Sequence, residues 1–114
     1  MFLLMIIVYK EKYLSDFLTT LVEVGVLNSN VIVPQSLEES LPLSVPLFAG
    51  LKFTMEGEKP FSRIIISLID KEEIIYEIDG ILKESGIDIT KGKIGEIFTI
   101  PISSAIGRKP YLEV

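Results

Sequence analysis

The chain contains two long apolar runs, and each is followed by a segment with helical periodicity. The first run covers residues 2–9, and the second is Arg63–Ile69 (RIIISLI). Neither run alternates regularly between apolar and polar residues, which indicates strands that are covered on both faces. The sheet that these strands form therefore needs apolar surface on both of its sides.

The segments after the two apolar runs are predicted to be amphipathic helices. Residues 13–24 place their apolar side chains at the three- and four-residue spacing of a single helix face, and Gly25 follows where a left-handed C-cap favours glycine. The second helix is predicted to begin at Asp70, with Glu73 completing a capping box, and to end at Gly86. The apolar stripes are Leu14, Phe17, Leu18, Leu21 and Val22 in the first helix, and Ile74, Ile75, Ile78, Ile81 and Leu82 in the second.

Two further strands are predicted, over residues 30–35 and 96–102. The resulting order is strand, helix, strand, long loop, strand, helix, strand, which is the split β-α-β pattern of the ferredoxin-like α+β fold. Two helices cover only one face of a four-stranded sheet. Because the first and third strands are apolar on both faces, we expect self-association to bury the second face.

The long loop, residues 36–60, reads SLEESLPLSVPLFAGLKFTMEGEKP. Connections longer than roughly 12–15 residues are uncommon within compact domains and are usually functional or disordered. A disordered tether is poor in large apolar residues, whereas this segment contains several. We therefore predict an adaptable loop that docks on a partner through Phe48, Leu51, Lys52 and Phe53; the alternative is that its apolar residues fold back onto a neighbouring subunit.

The length and composition of the chain exclude several classes of function. A chain of 114 residues is predicted to be one domain, residues 1–114, and its net charge of −5 argues against a broad nucleic-acid surface. The sequence contains no cysteine and no histidine, so it cannot build a disulfide, a thiol nucleophile or a Ser-His-Asp triad. We expect a protein that is not an enzyme, that holds no metal and that works in a reducing cytoplasm.

The apolar N-terminus is not predicted to enter a membrane. Residues 2–8 are far shorter than the ~20 apolar residues that a transmembrane helix needs. They also lack the basic region and the cleavage site of a secretory signal. A buried strand is the better interpretation.

A short basic loop precedes the last predicted strand. Its Lys91, Gly92, Lys93 and Gly95 provide backbone N–H groups and cations that suit an anion. Arg108 and Lys109 of the C-terminal tail would add two cations if they faced this loop across a subunit boundary. The alternative is a solvated helix-to-strand connection whose lysines serve solubility alone.

Over nearly its full length the chain resembles the nitrogen regulatory PII proteins. LSDFLTTLVEVGV from Leu14 is similar to the first helix of the family, and residues 36–60 occupy the place of its T-loop. KIGEIFTIP (residues 93–101) is similar to the glycine-containing B-loop and the strand after it, and SAIGRKP (residues 104–110) lies where the family has its basic C-loop. LPLSVPLFAGL and EIFTIPISSAIG resemble a short, diverged PII-like branch more specifically.

The resemblance implies a homotrimer whose sheets face inward and whose ligand clefts lie between subunits. It implies ATP or ADP as ligands, with 2-oxoglutarate bound through magnesium, and a loop that reports ligand state to a protein target. In the family these targets are ammonium transporters or enzymes of nitrogen metabolism. The resemblance places Lys91, Lys93, Arg108 and Lys109 at the ligand.

The chain also departs from the family pattern at ligand positions. Glu96 stands where the B-loop has a phosphate-contacting lysine, and a carboxylate beside a phosphate is repulsive. Glu38 and Glu39 lie where the family has a glutamine for 2-oxoglutarate, and the loop tyrosine that is uridylylated in part of the family has no counterpart. The resemblance therefore predicts architecture more strongly than ligand.

Two other functions share the predicted strand order. A regulatory module of the ACT type would bind a small molecule such as an amino acid, although its loops are typically short. An acylphosphatase-like hydrolase would need an arginine within a glycine-containing loop after the first strand. The chain has YKEKY there, from Tyr9 to Tyr13, with neither residue.

Overall fold

The computed structural model describes residues 1–37, 42, 44–47 and 61–107. The described strands are β1 (Phe2–Val8), β2 (Asn30–Ile32), β3 (Arg63–Ile69) and β4 (Gly95–Pro101). Helix α1 (Leu14–Glu23) follows a 3-10 turn at Glu11–Tyr13, and helix α2 (Ile74–Glu84) connects β3 to β4. Residues 38–41, 43, 48–60 and 108–114 lie outside the described part, and with them most of the predicted docking loop.

The four strands form one sheet in the order β2-β3-β1-β4, and every neighbouring pair is antiparallel. Met5 marks the centre of the sheet, because it lies opposite Ile66 of β3 on one side and Phe98 of β4 on the other. The predicted α+β class is confirmed, and the arrangement is compatible with a ferredoxin-like fold.

The hydrophobic core lies between one face of this sheet and the two helices. Alternate residues of the central strands point into it, and the stripes predicted for the helices meet them except at Val22. This residue is exposed because the buried face of α1 is centred on Phe17, Thr20 and Leu21. Ser67 is a buried polar residue on the same face, and its hydroxyl is hydrogen-bonded to that of Ser29 at 2.6 Å. The buried hydrophobic residues are Leu4, Ile6, Val8, Phe17, Leu21, Val26, Ile65, Ile69, Ile78, Leu82, Ile87 and Ile94.

The opposite face of the sheet is also apolar, as the sequence predicts for the central strands. No helix in the described part of the chain packs on it. We call this surface the open face. Its apolar residues are Leu3, Met5, Ile7, Ile32, Ile64, Ile66, Leu68, Phe98 and Ile100.

Strand β2 is shorter than predicted. It pairs with β3 only over Asn30–Ile32, not as far as residue 35. Ile32 lies opposite Ile64, one residue from the start of β3, so few ladder partners remain beyond it. Pro34 also lacks an N–H to donate to a ladder. Strand β3 has its predicted bounds, and the boundaries of β1 and β4 differ from the prediction by at most one residue.

The predicted capping box of the second helix is wrong. Helix α2 begins at Ile74, and its N-cap position is occupied by Glu73, whose side chain makes no capping hydrogen bond. The chain enters the helix through a turn in which the Ile74 and Ile75 N–H groups donate to the carbonyls of Lys71 and Glu72. Asp70 is exposed ahead of this turn. The carbonyls of Lys71 and Glu72 therefore accept hydrogen bonds from the first helical N–H groups, a role predicted for the Asp70 side chain.

The predicted glycine C-caps are confirmed. Gly25 and Gly86 have φ of +83° and +81°. The residue after each glycine donates to a carbonyl five residues back, Val26 to Leu21 and Ile87 to Leu82, both at 2.8 Å. This is the Schellman pattern, which satisfies carbonyls that a helix end would leave unpaired.

Gly80 in the middle of α2 is not required for packing. It is exposed, and a Cβ added to it would have no atom within 4 Å. Because glycine within a helix is less favourable than alanine by roughly 0.5–1 kcal/mol, we expect Gly80→Ala to raise the free energy of unfolding by about that amount. Urea unfolding followed by circular dichroism measures it, and an unchanged or lower stability would contradict the assignment.

Candidate functional site

A cleft of about 450 Å³ opens at one end of the sheet. It lies where β1 ends and where β3 and β4 begin, so three strands that are distant in sequence contribute to it. The described residues that line it are Tyr9, Lys10, Phe61, Lys93, Gly95 and Glu96. We call it the lysine cleft after Lys10 and Lys93.

In the connection from α2 to β4, Lys93 lines this cleft and has a left-handed backbone conformation. Gly92 has φ of +68°, and Lys93 follows with φ of +51°. Left-handed backbone costs a residue with a Cβ roughly 1–2 kcal/mol, which is why glycine is usual there. A lysine therefore occupies a position whose conformation favours glycine, and this residue lines the cleft.

Asp88 organises the beginning of the same connection. One carboxylate oxygen accepts hydrogen bonds from the Thr90 hydroxyl at 2.6 Å and from the Thr90 N–H at 3.0 Å. These bonds, more than the nearby ammonium of Lys91, hold the pKa of Asp88 below its ordinary value. Lys91 N–H also donates to the Asp88 carbonyl at 3.1 Å, which closes the turn.

Gly95 is required by close packing between β4 and β1. A Cβ at this position would lie 2.6 Å from the carbonyl oxygen of Ile7 and 3.3 Å from Cζ of Phe17. Glycine within a strand often marks such a close backbone approach. The packing explains Gly95 without reference to a ligand, although the residue also lines the cleft.

Tyr9 and Glu96 form a hydrogen-bonded pair at the cleft. The Tyr9 hydroxyl donates to Oε2 of Glu96 at 3.2 Å. Loss of solvent, and to a smaller extent the hydrogen bond and the negative charge of Glu96, raise the pKa of Tyr9 above its ordinary value. The phenol is therefore protonated at neutral pH and remains a donor to this carboxylate.

Phe61 is the aromatic side of the cleft lining, and its ring contacts Arg63. The guanidinium of Arg63 lies 4.4 Å from the centre of the Phe61 ring, a cation–π contact. The same guanidinium donates to the Ser62 carbonyl at 2.7 Å. Phe61 is also the first described residue after the 48–60 segment, so the cleft lies at the base of the long loop.

The structure brings together part of the predicted ligand site. Lys93 and Gly95 line the cleft, whereas Lys91 and Gly92 are not among its lining residues. The Lys91 side chain is 81% exposed and lies 3.8 Å from Asp88. Outside the described residues lie Arg108 and Lys109 of the predicted ligand site, the loop residues Phe48, Leu51, Lys52 and Phe53, and Glu38 and Glu39.

Three lining residues, Tyr9, Lys10 and Phe61, were not predicted from the sequence. Each lies directly beside an apolar strand: Tyr9 and Lys10 follow β1, and Phe61 comes two residues before β3. Polar or aromatic residues at strand ends converge when those strands are neighbours in a sheet. The sequence shows these residues at the strand ends, but their convergence could be predicted only with knowledge of the β3-β1-β4 strand order.

The described residues contain no cluster of three or more acidic side chains that could hold a metal ion. Among them, no helix has the length and apolar character needed to cross a bilayer. No protein-family model matches the chain, and no curated protein matches it in sequence. The lysine cleft and the open face are accordingly interpreted from their own residues.

Proposed function

We propose that this protein is a PII-like signalling protein of ferredoxin-like fold, a homotrimer that senses a small anionic ligand and reports it to a protein target through residues 36–60. The observation that carries the proposal is the position of the lysine cleft. It presents two cations, Lys10 and Lys93, beside Phe61 at the base of the long loop. A ligand that touches Phe61 is in a position to shift the population of loop conformers, which is all that such a sensor requires.

The open face supports the trimer. Large contiguous apolar surfaces on small proteins usually mark interaction sites. A second and third copy of the chain would cover this face without any further component. The proposal therefore assigns the open face to self-association and the lysine cleft to the ligand.

The cleft fits an adenine nucleotide only in part. Lys10 and Lys93 would attract its phosphates, but Glu96 in the same cleft would repel them. A ligand with fewer negative charges suits these residues better. This favours the alternative of a small-molecule regulatory module with a non-nucleotide ligand, similar in its ligand class to ACT modules.

Native mass spectrometry of the full chain tests assembly and ligand together. The panel contains ATP, ADP and 2-oxoglutarate, each with and without magnesium, and the free amino acids. A trimer that takes up three small ligands supports the proposal. A monomer at micromolar concentration contradicts the assembly, and a trimer that binds no member of the panel contradicts the ligand cleft.

Lys93→Gly should separate ligand binding from stability. Because the left-handed backbone disfavours lysine, glycine should raise the free energy of unfolding by roughly 0.5–1 kcal/mol. Removing the ammonium from the cleft should weaken the binding of an anionic ligand about tenfold, or about 1.4 kcal/mol. Urea unfolding and isothermal titration calorimetry measure the two effects, and equal ligand affinity in both proteins would exclude Lys93 from the site.

Deleting the long loop should remove target binding and preserve the trimer. Ile32 lies opposite Ile64, so the ends of β2 and β3 are adjacent and a short Gly-Ser linker can replace residues 38–60. The mass of the assembly and the ligand stoichiometry should be unchanged, while a target protein captured by the full chain should be lost. A loop-deleted protein that still captures the same target would contradict the role of the loop.

A further inference from the structure

The lysine cleft is lined by residues of both charge signs, Lys10 and Lys93 on one side of the balance and Glu96 on the other. Lys10 and Lys93 form no salt bridge within the described residues, and the same holds for Glu96. A ligand with only negative charge would be repelled by the Glu96 carboxylate. A simple cation would be repelled by the ammonium groups of Lys10 and Lys93. A ligand that carries both signs can pair with all of them.

Glu96 is prepared to receive a hydrogen-bond donor. Its Oε2 is occupied by the Tyr9 hydroxyl, whereas its Oε1 has no hydrogen bond from any described residue. The phenol engages one oxygen of the carboxylate, and Oε1 remains as an acceptor without a partner among the described residues. A protonated amine is the donor that gains most from a carboxylate, because the hydrogen bond is charge-assisted.

The lysines supply the complementary half of the site. Lys93 has a left-handed backbone conformation beside Gly92 and lines the cleft just before β4. Lys10 reaches the cleft from the end of β1. Two lysines that line one cleft from separate connections suit a single carboxylate, which has two oxygens to share between them.

We infer that the lysine cleft selects a zwitterion of the free amino-acid class, with Lys10 and Lys93 binding the carboxylate and Glu96 the ammonium. Tyr9 is a positioning residue that orients Glu96. Phe61 bounds the space left for an apolar side chain. The inference rests on the proposed function in its alternative form, a sensor of a non-nucleotide small molecule, since it names the ligand that such a sensor detects.

The test compares amino acids with the matching carboxylic acids that lack the amine. Isothermal titration calorimetry on the full chain uses the free amino acids first and then, for the tightest binder, its des-amino acid. We expect the wild-type protein to prefer the aminated ligand at least tenfold. Glu96→Gln keeps the size of the side chain but removes its charge, and should reduce this preference to threefold or less.

Two further variants make the assignment specific. Lys93→Gln should weaken both ligands by a similar factor and leave the preference intact, because it removes only the carboxylate partner. Glu77→Gln removes the same charge as Glu96→Gln from an exposed position in the first turn of α2, outside the lining of the cleft, and should change neither affinity.

The outcomes distinguish the inference from the function on which it rests. A protein that binds ATP, ADP or 2-oxoglutarate but no amino acid overturns the zwitterion and leaves the sensor. Amino-acid binding whose preference survives Glu96→Gln overturns the role of Glu96. A folded protein that binds none of these ligands overturns both.

Discussion

Met5→Lys should convert the proposed assembly into monomers. Met5 lies at the centre of the open face, between Ile66 and Phe98. In a self-associated protein the new ammonium would be buried without a partner, and an uncompensated buried charge costs several kcal/mol. In the monomer the same side chain lies on a half-exposed surface and can extend its ammonium to water.

We therefore expect association to weaken at least a hundredfold, which corresponds to about 2.7 kcal/mol per contact. Sedimentation equilibrium over a range of concentrations measures it, and circular dichroism checks that the variant is folded. The matched control is Val22→Lys, which places the same charge on α1 at a side chain that is 62% exposed. A Met5→Lys protein with the mass of the wild-type assembly would exclude the open face as the interface.

The fold was largely predictable because its determinants are local. Strand β3 was predicted with its observed bounds, since an isoleucine-rich run lies between Pro60 and Asp70. The apolar stripes of both helices were also correct except for Val22, which is exposed, and the C-caps at Gly25 and Gly86 were correct. In each case the residue types and their spacing carry the information without reference to distant parts of the chain.

The start of α2 shows where local patterns are insufficient. Asp70 and Glu73 have the spacing of a capping box, but the apolar periodicity begins only at Ile74. A backbone turn satisfies the N–H groups of Ile74 and Ile75 before the helix starts. The side-chain cap was therefore unnecessary, and the sequence signal for it was misleading.

The candidate site was only half predictable, for a topological reason. Lys93 and Gly95 belong to one short segment, and the sequence marks that segment as basic and glycine-rich. Tyr9 and Phe61 reach the cleft because β1 lies between β3 and β4, which is long-range pairing that no local pattern specifies. Glu96 was interpreted as an obstacle to phosphate, and its partner Tyr9 became visible only in the folded chain.

Gly95→Ala should destabilise the protein and disturb the lysine cleft at the same time. The added Cβ would lie 2.6 Å from the carbonyl oxygen of Ile7, a distance that real Cβ atoms essentially never show. Ile7 is part of the central strand, so its carbonyl cannot rotate away without breaking the sheet. The start of β4 must move instead, and overpacking of this kind costs about 1–3 kcal/mol.

The displacement should also reach the ligand site. The Tyr9 N–H donates to the Ile94 carbonyl at 2.9 Å, directly before Gly95, and Glu96 follows directly after it. Moving this segment separates Glu96 from the Tyr9 hydroxyl, so ligand affinity should fall along with stability. Urea unfolding and calorimetry measure the two losses, with Gly80→Ala as the matched control, since the same substitution in open space should stabilise. A Gly95→Ala protein of wild-type stability would contradict the close approach of β4 to β1, and with it the geometry that brings Glu96 to the cleft.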